Sequence, residues 1–167
     1  MSTSSNPVII VTGSSSGIGA EVARLAARNG WNVVVNYNSN QAGADAVVEY
    51  CQEQGVEAVA VGADVGEDLA CRELAATAEE SWGRIDCLVN NAGTTKFCPG
   101  MVAGEWLQEG LGDEMYAMVQ QHYENQASTG EIMTAETVAQ NIWYFVAGAP
   151  NVTGEQLILD GGATLPY

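Results

Sequence analysis

The chain reads as a three-layer α/β protein, with a parallel sheet between two layers of helices. Three observations predict this. Val8-Ile9-Ile10-Val11 is an unbroken β-branched run of the kind that forms a strand buried on both faces. A glycine-rich turn follows at once, and Ile18, Val22, Leu25 and Ala26 then recur at helical spacing. The same strand-then-helix unit repeats twice more across short loops, which predicts a parallel sheet with right-handed crossovers.

The elements follow in order. Asn29-Gly30 supplies a helix C-cap, and Trp31 to Val35 reads as the second strand. Ala44, Val47, Val48 and Cys51 mark a second helix, ended by Gly55, and Ala58 to Val61 is a short third strand. Asp64 to Glu67 read as cap and first-turn acids of a third helix, striped by Ala70, Leu74, Ala78 and Trp82 and stopped by Gly83. Ile85 to Asn90 is a fourth strand. Residues 103 to 127 carry Trp106, Leu107, Leu111, Met115, Met118 and Val119 on helical segments. Val138, Ile142, Phe145 and Val146 stripe a last helix from Thr134 to Ala147.

With 21 acidic residues against five basic ones, the formal charge is −16. Arg24, Arg28, Arg72, Arg84 and Lys96 cannot assemble a basic patch, which argues against nucleic acid and anionic membranes as partners. No apolar run approaches the roughly 20 residues needed to cross a bilayer. The first residues lack the basic start and apolar core of a signal peptide, so the expected location is cytoplasmic. Cys51, Cys71, Cys87 and Cys98 show no Cys-x-x-Cys spacing; buried reduced thiols are expected, and no metal site. The single histidine, His122, lies in a polar run that reads as helix surface.

The glycine turn carries the chemistry. Gly13 permits a tight turn, Gly17 lets backbone approach a phosphate, and Gly19 allows close packing of helix on strand. A pyrophosphate then sits at the helix N-terminus, where unpaired N–H groups and the helix dipole favour negative charge. At the end of the second strand, Val35-Asn-Tyr-Asn-Ser39 offers no acid for a ribose 2′-hydroxyl, which favours NADP over NAD. No arginine or lysine is nearby for a 2′-phosphate either.

Thr12-Gly-Ser-Ser-Ser-Gly-Ile-Gly19, Asp64-Val65 and Asn90-Asn-Ala-Gly93, in that order, resemble the short-chain dehydrogenase/reductase superfamily, and within it the 3-oxoacyl-carrier-protein-reductase-like group. Val152 to Gly162, with its Asp-Gly-Gly ending, resembles that family's last strand. The resemblance implies a Rossmann-type α/β/α fold and a single dinucleotide-binding domain over 1–167, with 1–97 as its cofactor-binding half. It also implies that Gly13, Ser15, Ser16, Gly17, Ile18 and Gly19 hold the pyrophosphate and adjoining ribose. Tyr37 and Asn38 would flank the adenosine ribose, Asp64 and Val65 the adenine. Asn90, Ala92 and Gly93 would line the floor beneath the cofactor. Alone, Asp64 reads equally as a helix cap, and Asn90 as part of a strand-end turn.

One departure is large. The family's catalytic block lies between the Asn-Asn-Ala-Gly turn and a later Pro-Gly turn, and contributes a serine and a Tyr-x-x-x-Lys. Here Phe97 runs directly into Cys98-Pro-Gly100, and the residue four before the only lysine, Lys96, is Ala92. No catalytic residue is therefore assigned. Residues 98–167 read as the remnant of an incomplete second half. Its missing strands would leave Leu88 and Val89 on an uncovered edge unless Gln156 to Leu159 pair there or the chain dimerises. The resemblance implies homo-oligomers through the last helix and last strand.

Two readings follow. The protein is an NAD(P)(H)-dependent oxidoreductase acting on a carbonyl/alcohol pair of a small molecule, its Ser, Tyr and Lys falling outside these 167 residues. Alternatively, it is a catalytically inactive nucleotide-binding remnant. An interaction protein that binds no nucleotide is the third class.

Overall fold

β1 (Val8–Val11) has every side chain buried, and the sheet is built around it. The computed structural model describes residues 5–93 and 102–148, the side chain of Trp106 excepted. The chain divides into two compact units, Met1–Gly93 and Thr94–Tyr167.

In the first unit the order is β1, α1 (Gly17–Arg28), β2 (Asn32–Tyr37), α2 (Gln41–Glu53), β3 (Ala58–Gly62), α3 (Asp68–Trp82) and β4 (Cys87–Val89). The four strands form one parallel sheet in the order β3-β2-β1-β4, with Ile10 opposite Val34 on one side and Leu88 on the other. This is the α/β/α Rossmann-type arrangement expected from the sequence. Moving stepwise from β1 to β3 with right-handed crossovers places α1 and α2 on one face; the return to β4 places α3 on the other. Strand side chains alternate accordingly. Val8, Ile10 and Val34 pack with Leu74, Ala78 and Trp82 of α3. Ile9, Val11, Val33 and Val35, all fully buried, point to the opposite face, where α1 and α2 pack. Each such side chain contributes about 1.5–3 kcal/mol by leaving water. α1 buries small residues, Ala20, Ala23, Ala26 and Ala27 beside Val22, so its backbone lies close to the sheet.

β2 runs two residues beyond the expected Val35, because β3 continues to pair with it through Tyr37 opposite Gly62. β4 is shorter than expected. Among the described residues it lies at the sheet edge, with Leu88 54% exposed. Asp64 does not cap α3. Its Oδ1 accepts the Gly66 N–H at 2.9 Å in a turn of its own, and the N-cap residue, Glu67, makes no side-chain cap bond. The thiols are not uniformly buried either. Cys51 is buried, and desolvation pushes its pKa up to about 11, while Cys87 is half-buried. Cys71 is exposed, in the first turn of α3 ahead of the buried Leu74-Ala78-Trp82 stripe.

In the second unit β5 (Val102–Ala103) pairs in parallel with β6 (Met133–Thr134). α4 (Glu105–Leu111) and α5 (Asp113–Gln126) meet at Gly112, and α6 (Ala135–Ala147) follows β6. α6 is capped by Thr134, whose Oγ1 accepts the Thr137 N–H at 3.3 Å, and its only fully buried residue is Ala139. α5 buries none of its residues; Met115 and Met118 are 50% and 67% exposed, and His122 is exposed as expected. The Phe97–Cys98 junction, Lys96 and the expected strand Gln156 to Leu159 lie outside the described residues. No helix among the described residues is long and apolar enough to cross a membrane.

β1 is held at its start by Asp86, whose Oδ2 accepts the Val8 N–H at 2.8 Å while Arg84 donates to both carboxylate oxygens at 2.7 and 2.8 Å. The Arg84 hydrogen bonds hold the Asp86 carboxyl below the usual carboxylate range. Its contribution is therefore present at neutral pH and lost as pH falls through the acid range. Asp86→Asn is expected to lower the thermal midpoint at neutral pH, with the gap to wild type closing below about pH 4, measured by melts across pH.

Candidate functional site

The loops after β1, β2, β3 and β4 all leave the carboxyl edge of the sheet. β1 and β4 are neighbours in the sheet but not in sequence, so the strand order reverses between them, and in open α/β sheets ligands bind in that crevice. Thr12 to Ser16 turn there into α1. Gly13 adopts φ +61°, and a Cβ on it would lie 2.9 Å from the Ala92 Cα. Glycine is thus demanded twice, by the left-handed backbone and by the approach of the β4 turn. Gly17 adopts φ +56° with open space beside it. Gly19 is tight, but against the loop rather than the strand: its Cβ would meet the Gly13 carbonyl oxygen at 2.6 Å and the Asn91 side chain at 2.5 Å.

The start of α1 is unlike that of the other described helices. Ser16 occupies the N-cap in extended geometry yet makes no side-chain cap bond, and no acid lies in the first turn. α2 has Asn40 as a capping side chain, and α3, α4, α5 and α6 each carry an acid in the first turn. Among the described residues the first N–H groups of α1 are therefore left without a side-chain cap, beside a glycine with no side chain.

Beneath this lies a buried polar lattice. Thr12 Oγ1 accepts the N–H groups of Asn91 and Ala92, each at 2.9 Å, and donates to the Val89 carbonyl at 3.3 Å. Asn91 Nδ2 donates to the carbonyls of Thr12 at 2.8 Å and Gly13 at 3.1 Å. Across the sheet, Asn36 Oδ1 accepts the Gly13 N–H at 3.0 Å, and its Nδ2 donates to the carbonyls of Ala63 at 3.0 Å and Val61 at 3.2 Å. Ser14 exchanges bonds with the Asn36 backbone, donating its N–H at 2.8 Å and accepting with Oγ at 3.0 Å. Each bond contributes about 0.5–1.5 kcal/mol, and leaving one of these buried groups unpaired costs more, about 1–3 kcal/mol.

The residues expected from the sequence stand as follows. Gly13, Ser15, Ser16, Gly17, Ile18 and Gly19 form the turn and first residues of α1. Tyr37 ends β2 half-buried, its ring against Gly62, where a Cβ would approach it to 3.1 Å. Asn38 follows it, exposed. Asp64 is exposed, whereas Val65 packs against the core beneath α3. Asn90, Ala92 and Gly93 are exposed after β4, with Ala92 against Gly13. Sequence reasoning passed over the individual roles of Thr12, Ser14, Asn36 and Asn91. The available signal was a polar residue next to the end of an otherwise aliphatic strand. Among the described residues no three His, Cys, Asp or Glu side chains gather as a metal site would require.

The sequence profile of the short chain dehydrogenase family matches residues 7–108. The chain belongs to that family. It is 48% identical over 97 residues to an uncharacterized oxidoreductase of Methylorubrum extorquens, covering 58% of this chain and 39% of the relative. It is 42% identical over 91 residues to a 3-oxoacyl-[acyl-carrier-protein] reductase of Staphylococcus epidermidis, covering 54% and 37%. The chain thus spans under two fifths of the length of these relatives. The fold is also that of L-sorbose reductase from Gluconobacter frateurii, solved with NADPH and L-sorbose. The TM-score is 0.83 at 16% identity, over 99% of each chain.

Gly19→Ala is expected to cost about 1–3 kcal/mol, because loop backbone must shift to admit the methyl. Gly17→Ala has room and is expected to cost about 1–2 kcal/mol from its left-handed backbone alone. Chemical denaturation of both variants measures this. Crystal structures would show a displaced Gly13–Asn91 contact in the first only.

Proposed function

We propose that residues 5–93 bind NAD(P)(H) along the carboxyl edge of the sheet. The observation that carries this reading is the N-terminus of α1, uncapped by any side chain among the described residues, with no acid in its first turn, and opening from a loop held left-handed at Gly13 and Gly17. Such an end is suited to a pyrophosphate, held by backbone N–H groups of Ser15 to Gly19. The Gly13 and Ser14 N–H groups are already bonded to Asn36 and would serve the loop's shape instead. Tyr37 and Asn38 would flank the adenosine ribose, Asp64 and Val65 the adenine, and Asn90, Ala92 and Gly93 the floor of the site.

NADP is the favoured form, because residues 37–40 include no acid to claim the 2′-hydroxyl. The 2′-phosphate would meet neutral donors. Arg24 pairs with Glu21 and Arg28 with Tyr50, and Arg72 and Arg84 pair with Asp68 and Asp86. When bound, the nicotinamide would exchange a hydride with a carbonyl/alcohol pair of a small molecule. Homo-oligomers would form through α6, which exposes Tyr144 and Phe145, and the last strand.

A second reading, a nucleotide-binding remnant without turnover, is favoured by one observation: the chain contains no Tyr-x-x-x-Lys to donate the proton that carbonyl reduction needs. Intact mass and turnover separate the two. Consumption of NADPH with a carbonyl by a chain of 17.5 kDa would rule out the remnant. Binding without turnover at that mass would support it.

Saturating NADP at about 100 times its Kd is expected to stabilise the protein by about 2.7 kcal/mol, read as a thermal shift. Gly13→Asp is expected to abolish the shift, since a carboxylate would fill the turn and face the phosphates. Asp64→Ala is expected to weaken binding only modestly, through the adenine end. No shift in the wild type would sink the reading.

A further inference from the structure

We infer that Asn36 is a positioning residue that sets the spacing between the pyrophosphate loop and the adenine-side segment, an inference that rests on the dinucleotide reading above. Asn36 is 2% exposed, so it touches no ligand itself. Its amide instead ties two segments that would. On one side Oδ1 accepts the Gly13 N–H at 3.0 Å; on the other Nδ2 donates to Ala63, one residue before Asp64, at 3.0 Å. Further Nδ2 bonds reach the carbonyls of Val61 at 3.2 Å and Tyr37 at 3.4 Å. The backbone of the same residue exchanges two bonds with Ser14.

The chemistry of the position is narrow. It needs an acceptor toward the loop and donors toward the end of β3 at one depth in a buried site. An uncharged amide on a single methylene supplies both. An aspartate would keep the acceptor but aim a second oxygen at the Ala63 and Val61 carbonyls, where repulsion drives the segments apart. Protonated, it would recover one donor. The burial of the site favours that neutral form and raises the carboxyl pKa. The ionisable side chains on the segments that Asn36 bonds are Tyr37 and Asp64.

Asn32 provides the control. It is equally buried, at the other end of β2, and its Oδ1 accepts the Glu57 N–H at 3.1 Å, away from the site. Loss of its amide reports what a buried amide on this strand does through stability alone.

The experiment is calorimetric titration of the full chain with ADP, at neutral and mildly acidic pH, for wild type, Asn36→Asp and Asn32→Ala, with folding checked by circular dichroism. Asn36→Asp is expected to weaken ADP about tenfold at neutral pH, the loss of one or two buried hydrogen bonds, and to recover most of that on acidification. Asn32→Ala is expected to bind as wild type does. Unchanged affinity in folded Asn36→Asp, or an equal loss in Asn32→Ala, overturns the inference while leaving the dinucleotide reading intact. A wild type that ignores ADP overturns both. Should Asn36→Asp not fold, nitrogen-resolved NMR of the wild type decides. ADP is expected to move the Gly13 amide and the Asn36 side-chain NH2 signals but not those of Asn32, and ADP that moves neither overturns the inference.

Discussion

The turn at Gly13 is the constraint on which the first unit depends. β1 ends one residue before Thr12, and the chain must reverse into a helix while the turn after β4 presses against it. A left-handed backbone with Ala92 2.9 Å from any added Cβ leaves room for no other residue. With the side chain absent, the Gly13 N–H is free to reach Asn36 and its carbonyl to reach Asn91. One stereochemical necessity thus joins three strand ends at the place where the strand order of the sheet reverses.

Two kinds of packing meet there. Below the edge, β1 and β2 are aliphatic and dry, and alternation shares them between α3 on one face and α1 with α2 on the other. At the edge the side chains become small and polar, and each buried one is bonded; among the described residues no buried side-chain nitrogen or oxygen lacks a partner. The exception is placed at the surface. Ser16 leaves the first N–H groups of α1 without a cap, so the polar capacity kept in reserve points outward from an otherwise satisfied lattice.

Much of this was legible in the residues. Four β-branched residues, a glycine turn and an apolar helical stripe predict β1 and α1 because a short β-branched run stopped by glycine reads as strand and the longer stripe after it keeps helical spacing. Asn29-Gly30, Gly55 and Gly83 end their helices as expected, with positive φ at all three glycines. Among the described residues β4 is an edge strand, which is one of the outcomes the sequence left open for Leu88. The boundaries of β2 and β4 were less legible, because pairing partners, not propensity, decide where a strand stops. Asp64 illustrates the same limit. An acid before a helix is both a good cap and a good turn former, and only the backbone path to Gly66 separates the two.

The sequence by itself determined the order of strands and helices and the glycines of the turn, because periodicity and backbone stereochemistry are local properties, and its motifs in their order carried the resemblance to a dehydrogenase family. Only the tertiary structure decided what those residues press against. Gly19 is small for the sake of a loop carbonyl and Asn91, not for the strand. Cys71 is exposed although Leu74, Ala78 and Trp82 of the same helix are buried. Asn36, unremarked at the end of an aliphatic strand, proves to be the bridge between Gly13 and Ala63. The Gly19–Asn91, Asn36–Gly13 and Asn36–Ala63 contacts join residues more than twenty positions apart, and their geometry is set by how the strands stack, which no local pattern of residues encodes.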